Sequence, residues 1–150
     1  MDETAAPSGG GAISEAVVLV VDDEYLGRVH LVDELTEYGF TVVEAPSGDD
    51  ALLVMRARRV DLVVTDRRMP GRLDGDALAR VVAELFPDVP VLMMSAERPA
   101  PADRATVVEF FAKPVDVAAV RRLIVDLLFP AGGPGAAAGR GQDGWWGRSG

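Results

Sequence analysis

Apolar residues follow one another along the chain in two alternating rhythms. Short runs, VVLVV at 17–21, TVVEA at 41–45, DLVVT at 61–65, PVLMMS at 90–95 and EFFAK at 109–113, have the length and composition of strands. The first, third and fourth are apolar at consecutive positions, which predicts burial on both faces of a parallel sheet. Between the runs, EYLGRVHLVDELTEYG, GDDALLVMRARR, DGDALARVVAELF and VDVAAVRRLIVDLL carry apolar residues at helical spacing. In the first of these Leu26, Leu31 and Leu35 are expected to face inward, and Gly39 to stop the helix. Five strands alternating with up to five helices imply right-handed crossovers and a doubly wound α/β sheet. The stretch AERPAPADRATVV at 96–108 breaks the rhythm. Pro99 and Pro101 forbid a long helix there, although Pro101 can occupy the first turn of a short one.

Glycine placement sets the expected boundaries. Of the 16 glycines, three lie at 9–11 and eight in 130–150, so both ends read as flexible and low in complexity. This predicts an N-terminal tail over 1–15, one domain over 16–129 and a Gly-rich tail over 130–150. The net charge of −9 has the same sign as nucleic acids and anionic membranes, which argues against either as the main partner. With no cysteine, disulfides, thiolate metal sites and cysteine nucleophiles are excluded. The acidic opening MDETAAPSGGGAISEA lacks a signal-like apolar segment, and no run is long enough to span a bilayer, so the expected location is the cytoplasm.

In an open parallel sheet, ligands sit beyond the carboxyl ends of the strands. Here those ends carry Asp22-Asp23-Glu24, Asp66, Ser95 and Lys113-Pro114. Taken singly, Asp23 reads as a helix N-cap, Ser95 as a cap or turn residue and Lys113 as a solvated lysine. Together they place a carboxylate cluster, a hydroxyl and an ammonium on one edge. Two unit charges ~4 Å apart repel by about 4 kcal/mol at an effective dielectric near 20, and the single charge of Lys113 is too little to compensate the cluster. Oxygen ligands on an open edge suit Mg²⁺, which keeps several waters. With metal and lysine present, Asp66 becomes a nucleophile able to form an acyl phosphate, the charge on the phosphoryl oxygens being met by Mg²⁺, Lys113 and Ser95.

The pieces VVLVVDDE, LVVTDRRMPG with a following DG, VLMMSAE and FFAKPV, in this order across residues 17–128, resemble the receiver domain of bacterial two-component response regulators. The resemblance implies a flavodoxin-like, five-stranded parallel sheet of order 2-1-3-4-5 with helices on both faces. It makes Asp66 the phosphoacceptor, Asp23 a direct Mg²⁺ ligand, Asp22 a ligand mainly through water, and the Arg68 backbone carbonyl the completion of the metal site. Ser95 becomes the switching hydroxyl, Lys113 the phosphate-binding lysine and Phe110 the switch aromatic. The implied donor is a phosphohistidine on a histidine kinase or histidine phosphotransfer protein. The implied role is a single-domain phosphoacceptor signalling module, not an enzyme in the ordinary sense, that catalyses its own phosphorylation and dephosphorylation and acts on a downstream protein.

The chain departs from the family in one region. Only 18 positions separate Ser95 from Lys113, which shortens the fourth helix and puts the usual output mechanism in doubt. An alternative is therefore a degenerate receiver that binds a partner regardless of phosphorylation. A haloacid-dehalogenase-like phosphatase would need Asp-x-Asp after the first strand, where this chain has Asp22-Asp23-Glu24. No glycine-rich phosphate loop supports nucleotide binding. His30, the only histidine, is expected to pack partly buried on the first helix. Trp145-Trp146, the only tryptophans, read either as an unstructured tail end or as an aromatic docking motif.

Overall fold

A computed structural model describes residues 12–99 and 105–130. The strands are β1 (Val17–Val21), β2 (Thr41–Ala45), β3 (Leu62–Asp66), β4 (Val91–Ser95) and β5 (Glu109–Ala112). The helices are α1 (Tyr25–Tyr38), α2 (Gly48–Ala57), α3 (Gly75–Leu85) and α4 (Val117–Leu128). The five strands form one parallel sheet of order β2-β1-β3-β4-β5, as expected from the sequence. The order in which the chain adds strands reverses between β1 and β3, the topological switch point where such sheets bind ligands.

Strand alternation divides the interior into two layers. Val18, Val20, Leu62, Val64, Leu92, Met94 and Phe111 meet α1 and α4 on one face. Val17, Leu19, Val63, Met93 and Phe110 meet α2 and α3 on the other. All five residues of β1, β3 and β4 are buried, whereas β2, at the sheet edge, is mostly half-buried.

Local signals end the helices where the chemistry requires. Gly39 caps α1 at φ 124°, a conformation open to glycine. Ser47, Asp74 and Asp116 accept backbone N–H groups at the starts of α2, α3 and α4. At Gly75 the start of α3 approaches the chain so closely that a Cβ would collide with the Asp66 carbonyl and with Arg67 Cα. Helix α3 is thereby seated directly on the backbone that follows β3.

Three features differ from the sequence expectation. Leu26 is 72% exposed; Leu31 and Leu35 are the buried residues of α1, with Val32 and Tyr38 packed partly buried beside them. His30 is exposed and not partly buried, since it falls on the solvent side of that helix. The packed chain begins ahead of Ala16, with a 3₁₀ turn at Ile13–Glu15 that buries Ile13 and offers the Ser14 carbonyl to Thr41.

Between β4 and β5 no α-helix occurs among the described residues. Residues 96–99 are irregular, with Pro99 buried, and residues 105–106 form part of a 3₁₀ turn. Pro101, residues 1–11, the expected C-terminal tail beyond Pro130 and Trp145-Trp146 lie outside the described residues. No helix among the described residues is long and apolar enough to cross a membrane.

Candidate functional site

Because β1 and β3 are neighbours in parallel register, with Val21 opposite Thr65, the residues that follow them emerge side by side. Asp22 and Asp66 are only 2% and 4% exposed, while Asp23 faces solvent. One carboxylate oxygen from each of Asp22, Asp23 and Asp66 lies within 4.8 Å of the other two. Asp23 does not cap α1; that position belongs to Glu24, which makes no side-chain capping bond. Instead Asp22 Oδ1 accepts the Glu24 N–H at 2.9 Å, which turns the chain into the helix and fixes this carboxylate.

Lys113 arrives from the far side of the sheet. It follows β5, and its backbone N–H donates to the Ser95 carbonyl at 3.0 Å, so β4 sets its height. From there the ammonium reaches across to Asp66, with Nζ 2.8 Å from Oδ1. The peptide bond to Pro114 is cis.

The electrostatics follow from burial and crowding. Removal from water pushes the Asp22 carboxyl above its usual range. The Glu24 N–H opposes this, Asp66 and Asp23 reinforce it by like charge, and Lys113 offsets part of it. Burial alone would lower the Lys113 pKa. The hydrogen bond and charge of Asp66, helped by Asp22 and Glu24, outweigh it and hold the ammonium above its ordinary value. Three carboxylates against one ammonium leave the edge short of positive charge. The donor set, all hard oxygens with one ligand facing solvent, fits a divalent cation of the Mg²⁺ type.

Ser95 is buried at the end of β4, but its hydroxyl is engaged locally. Its Oγ donates to the Glu97 carbonyl at 2.7 Å and accepts the Glu97 N–H at 3.0 Å. The Glu97 side chain in turn meets Arg68, with Nη2 2.6 Å from Oε1. Arg68, two residues beyond Asp66, thus tethers the loop after β3 to the loop after β4. Phe110 is fully buried in the α2–α3 layer, in register with Met93.

Asp22, Asp23, Asp66 and Lys113 therefore converge, whereas Ser95 faces Glu97 and Phe110 lies beneath the edge. Sequence reasoning missed two residues that shape this region. Arg28 on α1 donates from Nη1 to the Asp22 carbonyl at 2.7 Å and from Nε to Glu44 at 2.8 Å. Glu97 links Ser95 to Arg68. Both act on a backbone carbonyl or through a loop, and residue spacing carries no signal for either.

The chain matches the family model for the response regulator receiver domain over residues 18–125. It is 36% identical over 118 residues to the transcriptional regulatory protein GlrR of Escherichia coli (strain K12), covering 75% of this chain and 26% of GlrR. It is 35% identical over 95 residues to the sensor histidine kinase RcsC of the same organism, covering 61% of this chain and 10% of RcsC. The chain thus spans about a quarter or less of the length of these curated relatives. Among solved structures it is similar to the response regulator protein TrrA from Thermotoga maritima, solved in complex with Mg²⁺-BeF. The TM-score is 0.70 and the identity 27%, over 75% of this chain and 99% of that one. The parallel sheet with its reversal between β1 and β3, the carboxylates at that point and the family match across most of the domain converge on one conclusion: this chain belongs to the response regulator receiver domain family.

Proposed function

We propose that this receiver accepts a phosphoryl group on Asp66 from a phosphohistidine carried by a histidine kinase or a histidine phosphotransfer protein in the cytoplasm. One observation carries the reading: a nearly buried carboxylate, Asp66, held by Lys113 at 2.8 Å beside two further acids. A buried carboxylate with one oxygen engaged has the other available to meet phosphorus. An Asp66 oxygen attacks the phosphorus, the P–N bond to the donor imidazole breaks with its electron pair returning to nitrogen, and an acyl phosphate forms. Lys113 is positioned to follow the charge from the carboxylate to the new phosphoryl oxygens.

Asp23, Asp22, Asp66 and the Arg68 carbonyl would hold Mg²⁺. Bound there, the ion supplies the positive charge that three acids and one lysine lack. Ser95 is the hydroxyl that reads the phosphoryl group, and to reach it must give up the Glu97 carbonyl. Phe110, buried under the same edge, is the aromatic whose packing answers. A downstream protein is the recipient of the change.

Incubation with acetyl phosphate and Mg²⁺ tests the assignment by intact mass. One phosphoryl group labile to hydroxylamine is expected, with none on Asp66→Asn; undiminished labelling of that variant overturns it.

A further inference from the structure

At the end of the sheet remote from Asp66, a groove of about 450 Å³ opens between the carboxyl ends of α2 and α3. Its floor is apolar, formed by Met55, Val60, Phe86 and Val89, with Leu85 at its edge. Leu85 is 50% exposed, one of the few large apolar side chains of the domain left in water. Two exposed charges of opposite sign, Arg58 and Asp88, stand at the rim. Arg58 makes no ion pair with any described residue, whereas its neighbour Arg59 is held by Asp61 at 3.2 Å and by the Glu15 carbonyl.

A second hollow, lined in part by Leu128 and Phe129, shares Arg59 and Asp61 with this groove. The described chain leaves the domain at Phe129-Pro130, so its continuation starts beside the groove. Fifteen positions later come Trp145 and Trp146, flanked by Asp143 two residues before and Arg148 two residues after. A Gly-rich segment of that length spans ~20 Å root-mean-square, enough to reach from one hollow to the next. In sign, the flanking charges Asp143 and Arg148 are the complements of the rim charges Arg58 and Asp88.

We propose that the Trp145-Trp146 segment of this same chain docks in the groove between α2 and α3. The indole rings cover Leu85 and the apolar floor, and the Arg58 guanidinium lies against a ring face, a favourable arrangement for a cation and an aromatic. Tethering makes the pairing effective: a short linker raises the local concentration to the order of millimolar, so a weak contact becomes well populated. The groove lies away from the phosphoacceptor edge, so docking leaves the site open.

The chain's only tryptophans belong to this segment, so intrinsic fluorescence of the full chain reads the docking directly. Acrylamide quenching is expected to be roughly twofold weaker than in a free peptide of sequence GQDGWWGRSG, as a contact populated through a millimolar tether requires. The shielding should be independent of protein concentration. Leu85→Glu, with its fold checked by circular dichroism, should restore peptide-like quenching. Arg58→Glu, which alters only an exposed rim residue, should weaken the shielding, and Asp143→Arg in that background should recover it. Peptide-like quenching in the folded wild-type chain overturns the proposal. Shielding that disappears on dilution also overturns it, since the occupant would then be a second copy.

Discussion

Asp66 and Ser95 are each the last residue of a strand buried at all five positions, yet the two strand ends are held in different ways. Asp66 pairs with Lys113, 47 positions away and delivered by another strand, so its geometry is fixed by the sheet. Ser95 pairs with Glu97, two positions away in its own loop, so its hydroxyl can exchange partners without disturbing a strand. Bonds that span the sheet suit chemistry, because they hold a nucleophile still. Bonds within a loop suit switching, because they open locally.

The largest expected effect comes from breaking the long-range pair. Lys113→Ala leaves a nearly buried Asp66 carboxylate without its ammonium, and unfolding in urea should show a loss of about 2 kcal/mol. The loss stays below that of a fully buried pair because Lys113 is 31% exposed. Lys113→Ala in an Asp66→Asn background should lose much less; an equal loss in both backgrounds would show that the pair does not couple.

Metal comes next. Mg²⁺ at tenfold excess over its dissociation constant should stabilise the fold by ~1.4 kcal/mol, and Asp23→Ala should remove the gain. Without metal the same variant should be slightly more stable than wild type, since one of three crowded charges is gone. A melting temperature indifferent to millimolar Mg²⁺ in the wild-type chain would refute the cation site.

The local side of the comparison should give smaller effects. Ser95→Ala removes two loop hydrogen bonds and should lose about 1 kcal/mol. Phosphorylation or a beryllofluoride mimic should add hydrogen-exchange protection at residues 96–99 and 105–112 while leaving α4 nearly unchanged. If α4 changed as much as these loops, the contrast between sheet-held and loop-held ends would fail.

The smallest effect concerns pH. In the metal-free protein the Asp22 carboxyl is raised, so the folded state binds its proton more tightly than the unfolded chain. Stability should therefore fall as pH rises from about 3.8 through that raised value. Asp22→Asn should make this decline shallower, as followed by thermal unfolding. The Lys113 pKa is also raised, so its stabilising contribution should be complete below pH 10.5 and lost as pH climbs through the higher folded value.

Sequence patterning carried the sheet because β1, β3 and β4 are buried on both faces, and such strands need apolar residues at every position. It also carried the meeting of Asp22, Asp23, Asp66 and Lys113 at one sheet edge, since a charged residue at the end of an apolar run stands out. Asp66 itself proved to be part of β3, one residue further than the pattern suggested, because a carboxylate paired with Lys113 can occupy a buried strand position. Side-chain direction was less accessible. Leu26 satisfied the helical stripe but sits in the first turn of α1, where the described residues leave it 72% exposed. Nor could spacing assign Ser95 to Glu97 or Arg28 to the Asp22 carbonyl, since those pairings are decided by loop conformation and by backbone groups common to every residue.

The alternation of side chains across the sheet has one more consequence at Phe110 and Phe111. These two rings are adjacent in the chain, yet one belongs to the α2–α3 layer and the other to the α1–α4 layer, on opposite sides of a sheet. A fluorine nucleus introduced at each would give two spectroscopic channels separated by a single peptide bond. One would listen to the layer beneath Met69 and the loop after β3, the other to the layer formed by the first and last helices. Few positions allow a disturbance at one edge to be resolved, layer by layer, from so short a stretch of chain.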